Sequence, residues 1–278
     1  MATNKIDRKK FLALAGLGVL GAGNLMMSPF ARASKGNGYI DLFNGKDLTG
    51  WHKQSANSGR WTVQDGALIG EQDPPGSGNG GFLFTDQKFG DFELIIDLKP
   101  DWGIDTGVFL RANEEGQGIQ IYVDYHEHGD IGRIRGMYPT EDGNKTFIIR
   151  PYNIYGKYDA DDNLLGFYFK PDKRKNVWDP TYLKYNASPE EWMKAWKIGE
   201  WNTMRVRCTG KYPRVTVWLN STMIADFDGE TCTNPNYDRE RFYKAMGNEG
   251  MIAVQVHSGK GWPEGKQCRW KNIKVIPL

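Results

Sequence analysis

From about residue 40 onward the chain is a succession of short stretches in which apolar and polar residues alternate: FELIIDL, GVFLRA, GIQIYVD, NTMRVRC, RVTVWL, MIAVQV and WKNIKV. A side-chain period of two places one set of residues on each face of an extended chain, so these stretches are strands. Turn residues separate them, among them Asn220-Ser221 and Gly259-Lys260-Gly261. WTVQDGALIGE reads as a hairpin around Asp65-Gly66. Many short strands with little helix predict an all-β, jelly-roll β-sandwich.

Residues from about 138 to 199 break this rhythm. They hold a Tyr-rich NIYGKYDADDN, a basic PDKRKN and then SPEEWMKAWK. In the last, Ser188 is placed to cap a short helix, Pro189 to open it and Glu191 to complete a capping box, with Trp192 and Trp196 one turn apart. The fold expected is therefore a sandwich over 38–278 with a partly helical insertion at about 138–199. An excursion of this length is either a wall over one face or a surface elaboration.

Before the strands, residues 1–33 read as an export signal. Lys5, Arg8, Lys9 and Lys10 precede the apolar FLALAGLGVLGAGNLMM, and Ala31-Arg32-Ala33 has the form of a cleavage site. DRKKFLALAG is close to a twin-arginine signal with lysine in the second place, so both that route and the general secretory one are open. No cysteine follows the apolar run, which argues against a lipid anchor, and the expected location is periplasmic or extracellular. The 3 cysteines, Cys208, Cys232 and Cys268, allow one disulfide or none. A formal charge of +2 gives no field that would attract nucleic acid or a membrane surface.

Strand parity then asks which polar groups share a face. Glu93 and Asp97 project together, as do Gln120, Tyr122 and Asp124, then Gln255 and His257, then Trp218 and Asn220; Phe109 and Arg111 form a further pair. Carboxylates, amides, an arginine, a histidine and aromatic rings are the groups that meet sugar hydroxyls and the C–H faces of pyranose rings. Taken singly, each has an ordinary explanation: Glu93 with Arg111 as a surface ion pair, His257 as a solvated histidine. Their joint occurrence points to a carbohydrate site with Glu93, Arg111 and His257 as catalytic candidates. Asp97, Gln120, Tyr122, Asp124, Trp218, Asn220 and Gln255 would then contact the substrate. His126 and His128, if the strand continues through them, lie on one side at a usable spacing for a divalent cation, with Asp124 or Asp130 as a carboxylate ligand; the alternative is that the chain from Tyr125 is already a turn ending at Gly129-Asp130.

The order of LFNGKDLTGW, WTVQDGALIGE, FGDFELIIDLK, DTGVFLR, IQI, DIGRIRG, EWNTMRV, VWLNS, MIAVQVHSG and WKNIKVIPL resembles the 3-keto-disaccharide hydrolase family. The resemblance implies a concanavalin A-like jelly roll and an exported protein that cleaves 3-keto-glycosides. The family's N-S-G-I-F-L-R stands here as Asp105 to Arg111, its acid two places before the strand glutamine is Gly118, and its R-N-I is Lys271-Asn272-Ile273. A ketone at C3 acidifies the C2 proton, so the C1 oxygen can leave by elimination. That path wants a base (His257 or Glu93), a proton donor to the leaving oxygen, and a cation or Arg111 at the enolate oxygen. A two-carboxylate hydrolysis would instead use Glu93 with Asp97 or Asp124. The reading from a different class is a non-catalytic, lectin-like carbohydrate-binding module, since jelly rolls host both. An inert structural domain is the third, disfavoured by the acid–base groups and the export signal.

Overall fold

The computed structural model describes residues 32–33 and 38–278. The export-signal reading, save the Arg32–Ala33 backbone, lies outside the described residues. The chain is a β-sandwich of jelly-roll type with two short α-helices, α1 (Pro189–Ala195) and α2 (Arg239–Met246). One sheet has 7 strands in the order Gly143–Ile149, Asp130–Thr140, Gly118–Asp124, Gly107–Ala112, Gly250–Val256, Gly81–Phe89 and Trp51–Lys53. The second sheet centres on Cys268–Pro277, Phe92–Pro100, Asn202–Thr209, Arg214–Leu219 and Thr222–Asp228. The expected hairpin of Arg60–Gln64 with Ala67–Glu71 joins this second sheet through Cys268–Pro277, and Asp65 and Gly66 both take the positive φ that its tight turn needs. A separate ribbon pairs Tyr152–Tyr158 with Leu164–Pro171.

The aliphatic parity of each strand fills the space between the sheets. Val108, Leu110, Ile119, Ile121, Val123, Val254 and Val256 from the first sheet meet Leu94, Ile96, Leu98, Val206 and Val217 from the second. The opposite parity gives two outer faces, one on each sheet, and this divides the polar set. Glu93 and Asp97 lie on the second sheet. Glu93 faces Arg205 and Arg207 across the adjacent strand, at 3.6 and 3.2 Å, and accepts from the Tyr39 hydroxyl. Asp97 accepts from Thr203 Oγ1 and Asn272 Nδ2, each at 2.6 Å. Trp218 is covered by the Arg205 guanidinium 3.8 Å from its ring centre. Asn220 takes a positive φ in the turn after Arg214–Leu219, where its amide donates to Ala195 O and Asn202 Oδ1. These four residues share the second sheet and do not meet His257; alternation tells a residue's face but not its sheet.

Arg111 departs for another reason. Its φ is 48°, in the left-handed region, and the pairing of Gly250–Val256 shifts register there, from Ala253 opposite Phe109 to Met251 opposite Ala112. The bulge reverses the alternation. Ala112 takes the place beside Phe109, and Arg111 turns to the end of the sandwich. There its guanidinium donates to Gly90 O (3.0 Å), Gly210 O (2.9 Å) and Asp91 Oδ1 (2.7 Å). Arg111 therefore fastens the two sheets together and does not pair with Glu93.

The insertion begins as sheet, since Gly143–Ile149 pairs with Asp130–Thr140 along its length. The capping box on α1 forms as expected, and Trp192 and Trp196 stack with centroids 5.7 Å apart. Both rings are interior, Trp192 donating its indole N–H to Ile131 O at 3.0 Å. All three cysteines are free thiols.

Replacing Arg111 with Met should lower stability by roughly 2–3 kcal/mol, because a buried guanidinium and its three charge-assisted hydrogen bonds are lost. Urea unfolding followed by fluorescence measures it. A midpoint unchanged from the parent would show that the bulge does not need this fastening.

Candidate active site

The outer face of the seven-stranded sheet is closed at one end. Phe82, Phe84, Phe109, Ala112, Met251 and Ala253 make a second apolar cluster there. The loop 113–117 lies over it, with Gly116 so near the Phe82 ring that a Cβ would come within 2.2 Å. Toward the other end, Gln120 sits opposite Phe109, Tyr122 opposite Gly107, and Gln255 opposite Phe82. Gln120, Tyr122 and Gln255 share one face as parity predicts, but that face is covered and not open: every residue of Gly118–Asp124 is buried. Gln120 accepts from Arg135 at 3.3 Å, and the Arg150 guanidinium lies 5.5 Å from the Tyr122 ring centre. Gln255 Oε1 is buried without a hydrogen-bond partner.

Open space begins where Asp124 ends the strand. A pocket of about 440 Å³ is lined by Trp102, Gly103, Asp105, His126, Glu127, His257, Ser258, Lys260 and Gly261. A larger hollow of about 930 Å³, at the tip of the Asp130–Thr140 hairpin beside α2, is lined by no buried titratable side chain. In the smaller pocket, His126 Nε2 and His257 Nε2 each lie 3.9 Å from Asp105 Oδ2. Asp105, Asp124 and His126 each present one ligand atom, all within 4.8 Å of one another. His126 Nδ1 contacts the Glu127 carbonyl at 2.6 Å. A carbonyl can only accept, so Nδ1 carries the proton and the Nε2 lone pair is left for a ligand.

Asp124 is the strained member. Burial, then the charge and hydrogen-bonding proximity of Asp105, hold its carboxyl well above the usual carboxylate range, with Arg150 opposing them. Arg150 Nη1 is 3.7 Å from Asp124 Oδ2, while its Nε donates to Asp172 Oδ2 at 3.3 Å. Asp124 Oδ1 is buried without a partner. Burial also pushes Asp130, opposite Asp124 in the ladder, up to about 6, against the pull of Arg133 and Arg150. Two carboxylates and a neutral imidazole around an orphaned buried oxygen suit a hard or borderline divalent cation with coordination positions left open.

His128 is not part of this set. The strand ends at Asp124, Gly129 N closes a turn on His126 O, and His128 takes a positive φ. Its Nδ1 meets the Tyr155 hydroxyl at 3.0 Å. The H-x-H pair is thus split by the turn, and His126 joins two acids instead. Of the expected site residues, the structure gathers His257 and His126 at one pocket, with Asp124 buried next to His126. Gln120 and Tyr122 lie along the same face beside Arg135 and Arg150, and Gln255 lies on that face with its Oε1 unpartnered.

Sequence reasoning missed Asp105. The available signal was its place in DTGVFLR, where the family pattern carries Asn and this chain an acid. Glu127, which stands between the two histidines, and Trp102 were not among the expected residues either.

A sandwich with an acid–imidazole cluster on one outer face belongs to an architecture shared by lectins and enzymes. Within it, the chain belongs to the family described as the 3-keto-alpha-glucoside-1,2-lyase-like domain, whose model matches residues 38–276. A curated relative, the 3-keto-disaccharide hydrolase of Bacteroides thetaiotaomicron, is 34% identical over 83 residues, spanning 28% of this chain and 29% of the relative. Among solved structures, a Parabacteroides distasonis protein provisionally described as a glycosyl hydrolase superimposes with a TM-score of 0.48 at 18% identity, covering 87% of this chain and 94% of its own. Beta-agarase B of Zobellia galactanivorans gives a TM-score of 0.45 at 13% identity, covering 83% and 85%.

Two outcomes test this electrostatic account. Asp124→Asn should raise the melting temperature of the cation-free protein at pH 7, since it removes a carboxylate whose ionisation folding opposes. Asp130 folds with its carboxyl raised to about 6. Its contribution to stability is therefore full below its unfolded value near 4 and is lost as the pH rises through the folded value. Thermal melts of cation-free protein across that range should show the decline, and a flat profile would contradict it.

Proposed function

We propose that this protein is an exported enzyme that cleaves the glycosidic bond of 3-keto-glycosides by elimination. The observation that carries the reading is the convergence of Asp105, His126 and His257 on one pocket of the sheet's outer face, with the buried Asp124 within ligating distance of Asp105 and His126. Family membership supports a carbohydrate substrate. Glu93 and Arg111, engaged on the second sheet and at the sandwich end, leave His257 as the base. Its imidazole is half exposed at the pocket and has the reach to take a proton from C2 of a bound ring.

The C2–H and C1–O bonds break, a C1=C2 double bond forms, and the leaving oxygen takes a proton, for which we assign Lys260 at the pocket mouth as donor. Asp105, Asp124 and His126 would hold a divalent cation, which would supply positive charge for an oxygen at C3. Subsequent addition of water to the enol product would make the net reaction a hydrolysis. The apolar segment before residue 34 supports export, and no helix among the described residues is long and apolar enough to cross a membrane.

The test is release of free sugar from a 3-keto-glucoside by the purified protein, with and without EDTA, in D2O. Turnover should be lost to EDTA and restored by Mn2+, deuterium should enter C2, and His257→Gln should lower kcat about 100-fold or more. Undiminished turnover in His257→Gln would remove the assigned base. Binding of unoxidised glycans without cleavage of any 3-keto substrate would instead favour a lectin-like module.

A further inference from the structure

The Tyr-rich ribbon of the insertion is left without a role by the chemistry just described, yet it grips one wall of the pocket. Trp102, which lines that wall, donates its indole N–H to the Tyr158 hydroxyl at 2.8 Å. Tyr158 donates in turn to Glu127 Oε1 at 2.7 Å, and Gly156 N donates to the same oxygen at 3.0 Å. Phe167, on the ribbon's return strand, lies 5.6 Å from the Trp102 ring, and Tyr125 meets that ring edge-on at 4.9 Å. Tyr158, Gly156 and Phe167 all belong to the ribbon, whereas Trp102 and Glu127 come from the segments flanking Asp105 and His126. The indole is thus fixed by a hydrogen bond, an edge contact and a packed ring, and the Glu127 carboxylate keeps Oε2 without a hydrogen-bond partner among the described residues.

We infer that Trp102 and Glu127 form the subsite for the leaving sugar, and that the ribbon exists to hold it. This rests on the cleavage reading above. The ring that reacts must occupy the end of the pocket where His257, Asp105, Asp124 and His126 converge. Its neighbour across the scissile bond then meets the adjoining wall, which offers an aromatic ring for a C–H face and a carboxylate oxygen for hydroxyl donors. A volume of about 440 Å³ falls in the range of small-molecule sites and leaves room beyond a single reacting ring. Because the ribbon fixes both groups before substrate arrives, little rotamer freedom is lost on binding. Any preference for a sugar leaving group over a small alcohol would then rest on Trp102 and Glu127 rather than on the residues that meet the reacting ring.

The experiment compares kcat/KM for a 3-keto-disaccharide with that for methyl 3-keto-glucoside in the full chain. Trp102→Ala should lower the ratio of the two about tenfold, and Glu127→Gln should lower it several-fold. Trp102→Phe, which keeps a ring against Tyr125 and Phe167, should recover part of the ratio, and Tyr158→Phe, which leaves the indole N–H without its acceptor, should lower it in part. These conservative variants guard against failure of Trp102→Ala to fold. Equal losses on both substrates, or an unaltered ratio throughout, would overturn the subsite while leaving the cleavage reading in place. Turnover of neither substrate by the unaltered protein would overturn the cleavage reading and the subsite with it.

Discussion

Gly118–Asp124 is buried on both faces, and that constraint organises the site. Its inner face is aliphatic and needs nothing more. Its outer face carries an amide, a phenol and a carboxylate, and polar groups removed from water must be paired or cost free energy. Arg135 answers Gln120, Arg150 lies over Tyr122 and beside Asp124, and Asp172 answers Arg150. Both Arg150 and Asp172 come from the insertion. The excursion from the sandwich thus supplies the counter-charges for the floor as well as the wall beside it. What it does not answer is Asp124 Oδ1. Seven buried side-chain atoms among the described residues lack a partner; Asp124 Oδ1 is the one of them that belongs to the Asp105–Asp124–His126 group, where a bound cation would relieve the charge.

The sheet content was legible because alternation is a local property. Each strand's two parities could be read from seven or so residues, and the Asp65-Gly66 hairpin and the α1 capping box from fewer still. The assignment of strands to sheets was not legible, since it depends on pairings between residues far apart in the chain. Glu93 and Gln120 have the same kind of alternating context, and yet one faces Arg207 on the second sheet and the other faces Arg135 on the first. No pattern within either strand distinguishes them. A face read from parity is therefore a set of candidates for two surfaces, which here lie on opposite sides of a sandwich.

Arg111 and His128 were misplaced by a second cause, a break in periodicity at a single residue. Both take positive φ, at 48° and 67°. Neither is a glycine, so composition gave no notice of the turn in the backbone. In Arg111 the break converts an expected site residue into a fastening between sheets. At His128 it sends the ring to Tyr155, away from His126. The glycine at 129 hinted at the latter turn, and nothing comparable marks the former.

The site residues that reasoning did recover, His126, His257 and Asp124, stand at the ends of strands, and Asp105 stands just before one. This location follows from what each part of the fold can supply. Strand interiors on this sheet are covered, by the 113–117 loop at one end and by Arg135 and Arg150 further along, so a group there cannot touch a ligand. Strand ends keep the precision of the sheet behind them while their side chains reach open space. Gln72 adds to that precision on the His257 side, donating to the His257 and Gly259 carbonyls at 3.1 and 2.8 Å from a buried position. The cluster is thus held by backbone that cannot easily move, while two of its carboxylates sit closer than their charges favour. Folding tolerates that repulsion because the core between the sheets is large and uninterrupted, and a positively charged ligand at this place would relieve it.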